Sequence, residues 1–408
     1  MSDESKIKIE LPKEHEFRFD VPQNSTISLK QQLVEGTAEY FGTELALGVA
    51  YQFDNEKGAI FTWYPGCVLE LVGNCKHYIS SETMMKEYLN IHNILQQNRT
   101  TALNEKKRGP RVMMVGPTDA GKSTLSRILC NWAARRGSQT IFVDVDVGQG
   151  SITIPGMVAA QEMTQPTPIG RVEYTASNPL SYFYGAVTPS ENIPLYKNQV
   201  ENLARDIDAR CDDNEGAVRS SGLIVNTCGW VEGPGYQLIL HAIDTFKCDI
   251  LLVIGHPQVY EDLNRTYGSR GVNVIQLPRS SGVSKRDQGY RRKARTEKIK
   301  HYFHGLSEDL TPHTVTLDFK DVVILKVTPS TQKGTRLMEI TPSGEVTHCI
   351  LGVTYHATSM ENVLSNNLAG FLYVSEVNVE KQKITFSSPS PGPFPSSYLL
   401  MNSLRWLK

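Results

Sequence analysis

Apolar and polar positions alternate in short runs between residues 7 and 90: KIKIEL, FRFDV, STISLK, LALGVAYQF, AIFTWY and VLELVG. A period of two marks strands with one buried face. Pro22-Gln23-Asn24, Asn55-Glu56-Lys57-Gly58 and Pro65-Gly66 punctuate them, so a small β-sandwich is predicted. Residues 83–108 become helical and polar and end in a charged NEKKRG linker. From residue 110 the pattern changes. Apolar runs at 111–115, 140–147, 222–227, 249–255 and 272–277 are separated by helical stretches around 122–136, 195–210, 235–247 and 285–304. Such alternation predicts a parallel sheet covered on both faces, with ligands at the carboxyl ends of its strands. After about residue 306, TVTLDF, VVILKV, EVTHCILGVTY, FLYVSEVNV and KITFSS return to β character. The predicted class is α/β: a central nucleotide-binding unit (101–305) between an N-terminal β-sandwich (1–100) and a C-terminal α/β or β-rich region (306–408).

Composition narrows this picture without redrawing it. A chain of 408 residues calls for two or three domains, and 40% hydrophobic with 21% charged residues describes a soluble globular protein. A net charge of −1 means that contact with nucleic acid requires a local basic patch. The polar N-terminus MSDESKIKIELPKEHEF lacks the apolar core of a signal peptide, and no stretch approaches the ~20 apolar residues of a membrane span. Seven cysteines without C-x-x-C pairing suggest a reducing compartment, cytosol or nucleus, and indicate no zinc site. SPSPGPFPSS (388–397) has the composition of a polyproline ligand; a rigid loop crossing one end of the C-terminal region is the favoured reading.

The strongest chemical signal is Gly116-Pro117-Thr118-Asp119-Ala120-Gly121-Lys122-Ser123-Thr124, between the apolar run 111–115 and a helix-like run with Leu125, Ile128, Leu129 and Trp132 on one face. A strand–loop–helix of this kind cradles the phosphates of a nucleoside triphosphate. The glycines let backbone N–H groups curl around phosphate, Lys122 reaches the β/γ oxygens, and Ser123 is placed to hold Mg²⁺ at a helix N-terminus.

About 25 residues further on, VDVDVGQG ends a strand with Asp144 and Asp146, which alternation puts on one face. The first is the usual Mg²⁺ or Mg²⁺-water partner. The second is placed to take a proton from an attacking hydroxyl. Gly148-Gln149-Gly150 follows and lets backbone approach a ligand. SKRDQGYRRKARTEKIK (284–300) carries eight basic and two acidic residues, 8 − 2 = +6. Arg291 and Arg295 share a helix face, and Gly282 and Gly289 flank the start of the run, as in a movable lid that puts guanidinium groups on a transferring phosphoryl. In NTCGWVEGPGY (226–236), Trp230 among glycines offers a stacking platform for a base.

Together GPTDAGKST, VDVDVGQG, YFYGAVTPSENIPLY, NTCGWVEGPGY and the arginine run resemble the Clp-type polyribonucleotide 5′-hydroxyl kinases. The likeness runs from HEFRF near residue 15, through GTAEYFGTEL (36–45), to the C-terminal β region. It implies an ATP- and Mg²⁺-dependent enzyme that phosphorylates the 5′-hydroxyl of RNA in pre-mRNA 3′-end cleavage and tRNA splicing. It implies a nuclear place, and subunits of the pre-mRNA cleavage complex and of the tRNA-splicing endonuclease as partners. The resemblance assigns ATP to Gly116, Thr118, Asp119, Ala120, Gly121, Lys122, Ser123 and Thr124, with Glu16 and Lys57 reaching over the purine. Lys122, Asp146, Arg286, Arg291 and Arg295 become catalytic. Gln149, Thr188 and Trp230 become RNA contacts, and Ser123 the Mg²⁺ ligand. The alternative is a catalytically silent, ATP-bound scaffold subunit of an mRNA 3′-end processing complex. A hydrolytic switch is a third reading, against which the lid arginines and Trp230 weigh.

Overall fold

In the computed structural model, residues 6–22, 25–32, 36–170, 179–213, 216–330, 334–355, 357 and 359–407 are described. Gln23 and Asn24 of the expected turn lie outside them. Alternating residues do build a sandwich first. One antiparallel sheet orders Lys6–Pro12, Gly66–Val72, Thr26–Gln31 and Ala50–Asp54; the other orders Thr43–Glu44, Ala38–Tyr40, Lys57–Thr62, Glu16–Asp20 and Lys76–Ser80. Leu29, Leu69 and Leu71 meet Phe17, Phe19 and Tyr40 between the sheets. Because side chains alternate along a strand, Glu16 and Arg18 leave the opposite way. That face looks onto the central unit.

Helix α1 (Met85–Asn104) joins the two units. Its Tyr88, Ile91 and Leu95 share a core with Leu125, Ile128, Leu129 and Trp132 of α2 (Lys122–Arg135). The central sheet runs Leu180–Phe183, Met157–Met163, Thr140–Asp144, Leu223–Asn226, Arg111–Val115, Ile250–Ile254 and Asn273–Leu277. The last five are mutually parallel, and the first two are antiparallel additions at one edge. An all-parallel sheet is therefore corrected to a mixed one. The connection from 145 to 156 carries no helix, and a return without a crossover must be antiparallel. Helices α3 (Ile193–Asp213), α4 (Ala217–Ser221), α5 (Gly233–Thr245), α6 (Pro257–Tyr267) and α7 (Gln288–His304) complete the unit. The polar sequence of α6 hid it, since it buries just Val259, Leu263 and Tyr267.

Among the described residues beyond 306, strands and short 3-10 turns replace any α-helix. The seven-stranded sheet there is antiparallel apart from Val323–Ser330 beside Tyr398–Met401. It shares a core with the central unit, where Phe303 of α7 stacks on Trp406 with centroids 5.5 Å apart. The Phe371 amide donates to the Tyr302 hydroxyl at 3.0 Å. The base of α7 is thus anchored by the C-terminal sheet. Along 388–397, Phe394 packs on Phe386 and the Ser388 hydroxyl donates to the Ser390 carbonyl at 2.6 Å, as in a loop closing that sheet's end. All seven cysteines are buried and free. Among the described residues no helix is long and apolar enough to cross a membrane.

Candidate active site

Strand Arg111–Val115 is wholly buried and delivers the chain to the carboxyl edge of the sheet. Gly116 turns there with φ 155°, and a Cβ at this position would lie 2.5 Å from the Ile254 carbonyl oxygen. Asp119 (φ 56°) and Gly121 (φ 96°) also take left-handed backbone, which coils the loop onto the start of α2. The Lys122 amino group donates to the carbonyls of Gly116 at 2.7 Å and Pro117 at 2.9 Å. Burial lowers the affinity of this amine for its proton, and Asp146 is the main opposing charge. Ser123 and Thr124 are exposed to the cavity at the N-terminus of α2.

The two aspartates divide their labour. Asp144 is 2% exposed, and its oxygens accept from the Asp146 amide (3.1 Å), the Asn226 amide group (3.1 Å), the Ser151 amide (2.8 Å) and the Ser151 hydroxyl (2.7 Å). It pins the 144–151 loop and does not itself line the cavity. Asp146 faces the cavity. One of its oxygens accepts from the amides of Gly148 (2.9 Å) and Gln149 (3.1 Å). Among the described residues no hydrogen bond reaches the other. Burial first, then the neighbouring Asp144 charge, push its carboxyl above the usual aspartate range, with Lys122 pulling back.

The arginine run forms the cavity's roof. Asp287 caps α7 by accepting from the Tyr290 amide at 2.7 Å. Asp119 of the phosphate loop accepts from the Arg286 amide at 3.0 Å and from the Arg291 guanidinium at 2.8 Å. Asp119 thus ties the lid down, a role invisible in its loop motif. The Arg286 guanidinium lies over the Tyr290 ring, 5.1 Å from its centroid. Burial, then Arg291 and Arg292, lower the proton affinity of Arg295, and Asp146 opposes them. Lys298, further along α7, donates to the carbonyls of Gln149 (3.3 Å) and Gly150 (2.5 Å), so one helix touches both the phosphate loop and the Asp146 loop. Gly289 lies inside the first turn of α7, and Gly282 in the segment before it.

Trp230 is half-buried. It packs against the central core and over Gly235, where a Cβ would sit 2.2 Å from the indole, yet it still lines the cavity. Gly229 beside it leaves no room for a side chain: a Cβ would come within 2.3 Å of the Thr118 amide nitrogen. Thr188 pairs its hydroxyl with Ser190 at 2.9 Å on the far wall. The sandwich contributes Glu16 and Lys57. Glu16 accepts from Arg18 at 2.7 Å and from the Thr83 hydroxyl; Lys57 pairs with Asp20 at 2.9 Å.

These groups enclose one continuous cavity of about 910 Å³. Glu16, Lys57, Thr118, Asp119, Ala120, Gly121, Lys122, Ser123, Thr124, Asp146, Gln149, Thr188, Trp230, Arg286, Arg291 and Arg295 all line it. Gly116 is one step behind, presenting its carbonyl to Lys122. Sequence reading missed Arg18, Cys228, Gly229 and Lys298. None carried a local signal: Arg18, between two phenylalanines on an alternating strand, reads as a solvated side chain. Among the described residues no group of three or more His, Cys, Asp or Glu gathers to hold a metal. The Ser123 hydroxyl and the Asp146 carboxylate are oxygen donors that line the cavity.

Comparison with known proteins agrees over the chain's whole length. Three family models match: the N-terminal beta-sandwich domain of polyadenylation factor (10–102), the mRNA cleavage and polyadenylation factor CLP1 P-loop (116–305) and the pre-mRNA cleavage complex II protein Clp1 (310–408). The Dictyostelium discoideum protein CLP1 homolog is 40% identical, over 98% of this chain and 89% of its own. The Homo sapiens polyribonucleotide 5′-hydroxyl-kinase Clp1 is 38% identical, over 98% and 96%. A solved Clp1p–Pcf11p complex superposes with a TM-score of 0.88 at 26% identity, over 100% of this chain and 99% of that one. On sequence and on fold, the chain belongs to the Clp1 family.

Proposed function

We infer that this protein transfers the γ-phosphoryl group of ATP to the 5′-hydroxyl of RNA. The observation that carries this reading is one cavity in which a phosphate loop, a base-like carboxylate and a capping arginine helix converge. Phosphoryl transfer needs little covalent help; positioning and charge stabilisation supply nearly all the catalysis. When bound, Mg²⁺ neutralises phosphate charge, and Ser123 would hold it. Lys122 exchanges two neutral carbonyl acceptors for a charged phosphate oxygen, a stronger partner. Asp146 accepts the hydroxyl proton. Its raised pKa suits that task, because a base works best with a pKa near the operating pH. Arg291 and Arg295 stand on α7 to meet the spread charge of the phosphoryl, with Arg286 just before the helix.

The same proposal places the purine against Glu16 and Lys57, so that the 1–100 sandwich covers the base and 101–305 performs the transfer. The RNA end lies among Gln149, Thr188 and Trp230, where the half-exposed indole offers a face for stacking. Residues 306–408 brace α7. We assign the protein to mRNA 3′-end processing with cleavage-factor subunits as partners, in keeping with the matched family descriptions and the Clp1p–Pcf11p complex; a nuclear place and tRNA-splicing partners belong to the proposal as well.

Purified protein incubated with γ-labelled ATP and 5′-hydroxyl RNA or DNA oligonucleotides tests the activity directly. Label on the oligonucleotide is expected. ATP binding without transfer leaves the scaffold reading, and ATP hydrolysis independent of any acceptor leaves the switch.

A further inference from the structure

Arg18 sits in the strand Glu16–Asp20 between Phe17 and Phe19, which face the sandwich core, and its own side chain turns toward the central unit. It is 5% exposed. Its guanidinium serves three separate places at once. Nε donates to the Glu16 carboxylate at 2.7 Å, Nη2 to the Glu82 carbonyl at 2.6 Å, and Nη1 to the Ser281 hydroxyl at 3.0 Å and, at the longer distance of 3.5 Å, to the Tyr78 hydroxyl of the sandwich. Glu16 is the cavity wall, Glu82 leads into α1, and Ser281 lies in the segment 278–287 that carries the chain from the last strand of the central sheet into α7. The backbone of that segment lies against the guanidinium. A Cβ on Gly282 would be 2.9 Å from Arg18 Cζ and 2.9 Å from Nε, so glycine is what permits the approach. At its far end the same segment is held by Asp119 through the Arg286 amide.

From this geometry we propose that Arg18 is a positioning residue that fixes the root of the arginine lid to the sandwich, so that the sandwich wall sets where the lid stands. A planar fork with several donors can hold three acceptors at fixed angles, which an ammonium cannot. Buried charge-assisted hydrogen bonds are strong and hold that register. The kinetic consequence rests on the phosphoryl-transfer reading above; the lid's position is measurable without it.

The test uses the full chain with Arg18→Gln, Arg18→Lys, Ser281→Ala and Gly282→Ala. Hydrogen–deuterium exchange over residues 279–295 reads the lid root, and steady-state kinetics read its effect. Arg18→Gln and Gly282→Ala are each expected to speed exchange in that window while the strands of the central sheet stay protected. Each should also lower kcat roughly tenfold or more, since small misplacements of catalytic groups are costly. KM for ATP should move by less than about threefold, the pattern of a lost transition-state interaction. Arg18→Lys should restore the melting temperature but not the lid's protection. A rise in KM for ATP with wild-type exchange at 279–295 would overturn the proposal and leave Arg18 as a support for Glu16 alone. If Arg18→Gln fails to fold, the two lid-side variants decide: unchanged exchange in both overturns it. Absence of any kinase activity would sink the functional reading and leave the exchange comparison still decisive for the lid.

Discussion

The two ends of the cavity are built by opposite means. At the phosphate loop, nine consecutive residues do everything: glycine turns, an amine and hydroxyls at a helix start. In the rest of the cavity, Glu16 and Lys57 come from one fold unit and Trp230 from another, and the lid root is held across 263 positions of sequence by Arg18 and Ser281. A contiguous motif works through backbone geometry that its own residues dictate. A dispersed site works only after three units have packed. The first end should therefore lose function through single groups, and the second through packing and in smaller steps.

Lys122→Ala should produce the largest loss, about 10²–10³-fold in kcat, the usual cost of removing one preorganised charge stabiliser; rapid-quench kinetics with labelled ATP would measure it. A change under fivefold would break the contrast between the two ends. Asp146→Asn should follow, with kcat down roughly 10²-fold or more and ATP affinity kept, read by calorimetry beside turnover. It also carries a stability signature. The folded carboxyl has a pKa above its unfolded value, so its ionised form destabilises the protein at neutral pH. That penalty begins to shrink as pH falls below the raised pKa and is gone below the unfolded value. Asp146→Asn should accordingly melt higher than the parent at pH 8, with the gap closing in acid. In the parent, kcat/KM should fall on the acid side at a pH above the ordinary aspartate range, and the variant should lack this limb.

Effects at the other end should be smaller. Trp230→Ala should raise KM for RNA by about 5–150-fold, equivalent to ~1–3 kcal/mol of lost stacking, with KM for ATP unchanged. The opposite split would make Trp230 part of the core alone. Glu16→Gln should shift KM for ATP a few-fold at most, because a neutral amide still accepts one hydrogen bond. A loss as large as that of Lys122→Ala would mean that the two parts of the cavity do not differ in this way.

Much of this site was legible before any coordinates. The motif 116–124, Asp146 and the arginine pair at four-residue spacing each carry a local reason for their role. What stayed hidden was which members of those signals are structural. Asp144 and Asp146 look alike in VDVDVGQG, yet four hydrogen bonds from Asn226, Ser151 and the loop withdraw the first from the cavity. Asp119 reads as one more loop residue, and only the return of α7 turns it into the lid's anchor. Gly289 flanks the arginine run in the sequence, but the Asp287 cap starts the helix before it.

The sequence by itself determined the local elements: the alternating sandwich strands, the buried parallel strands and the phosphate loop, because period, burial and glycine geometry act between near neighbours. Packing alone decided the antiparallel edge of the central sheet, the bracing of α7 by Trp406 and the contact of Arg18 with Ser281. The reason is physical. A guanidinium on an alternating strand reads as solvated until another part of the chain arrives to bury it, and nothing in its neighbours along the chain says which part that will be.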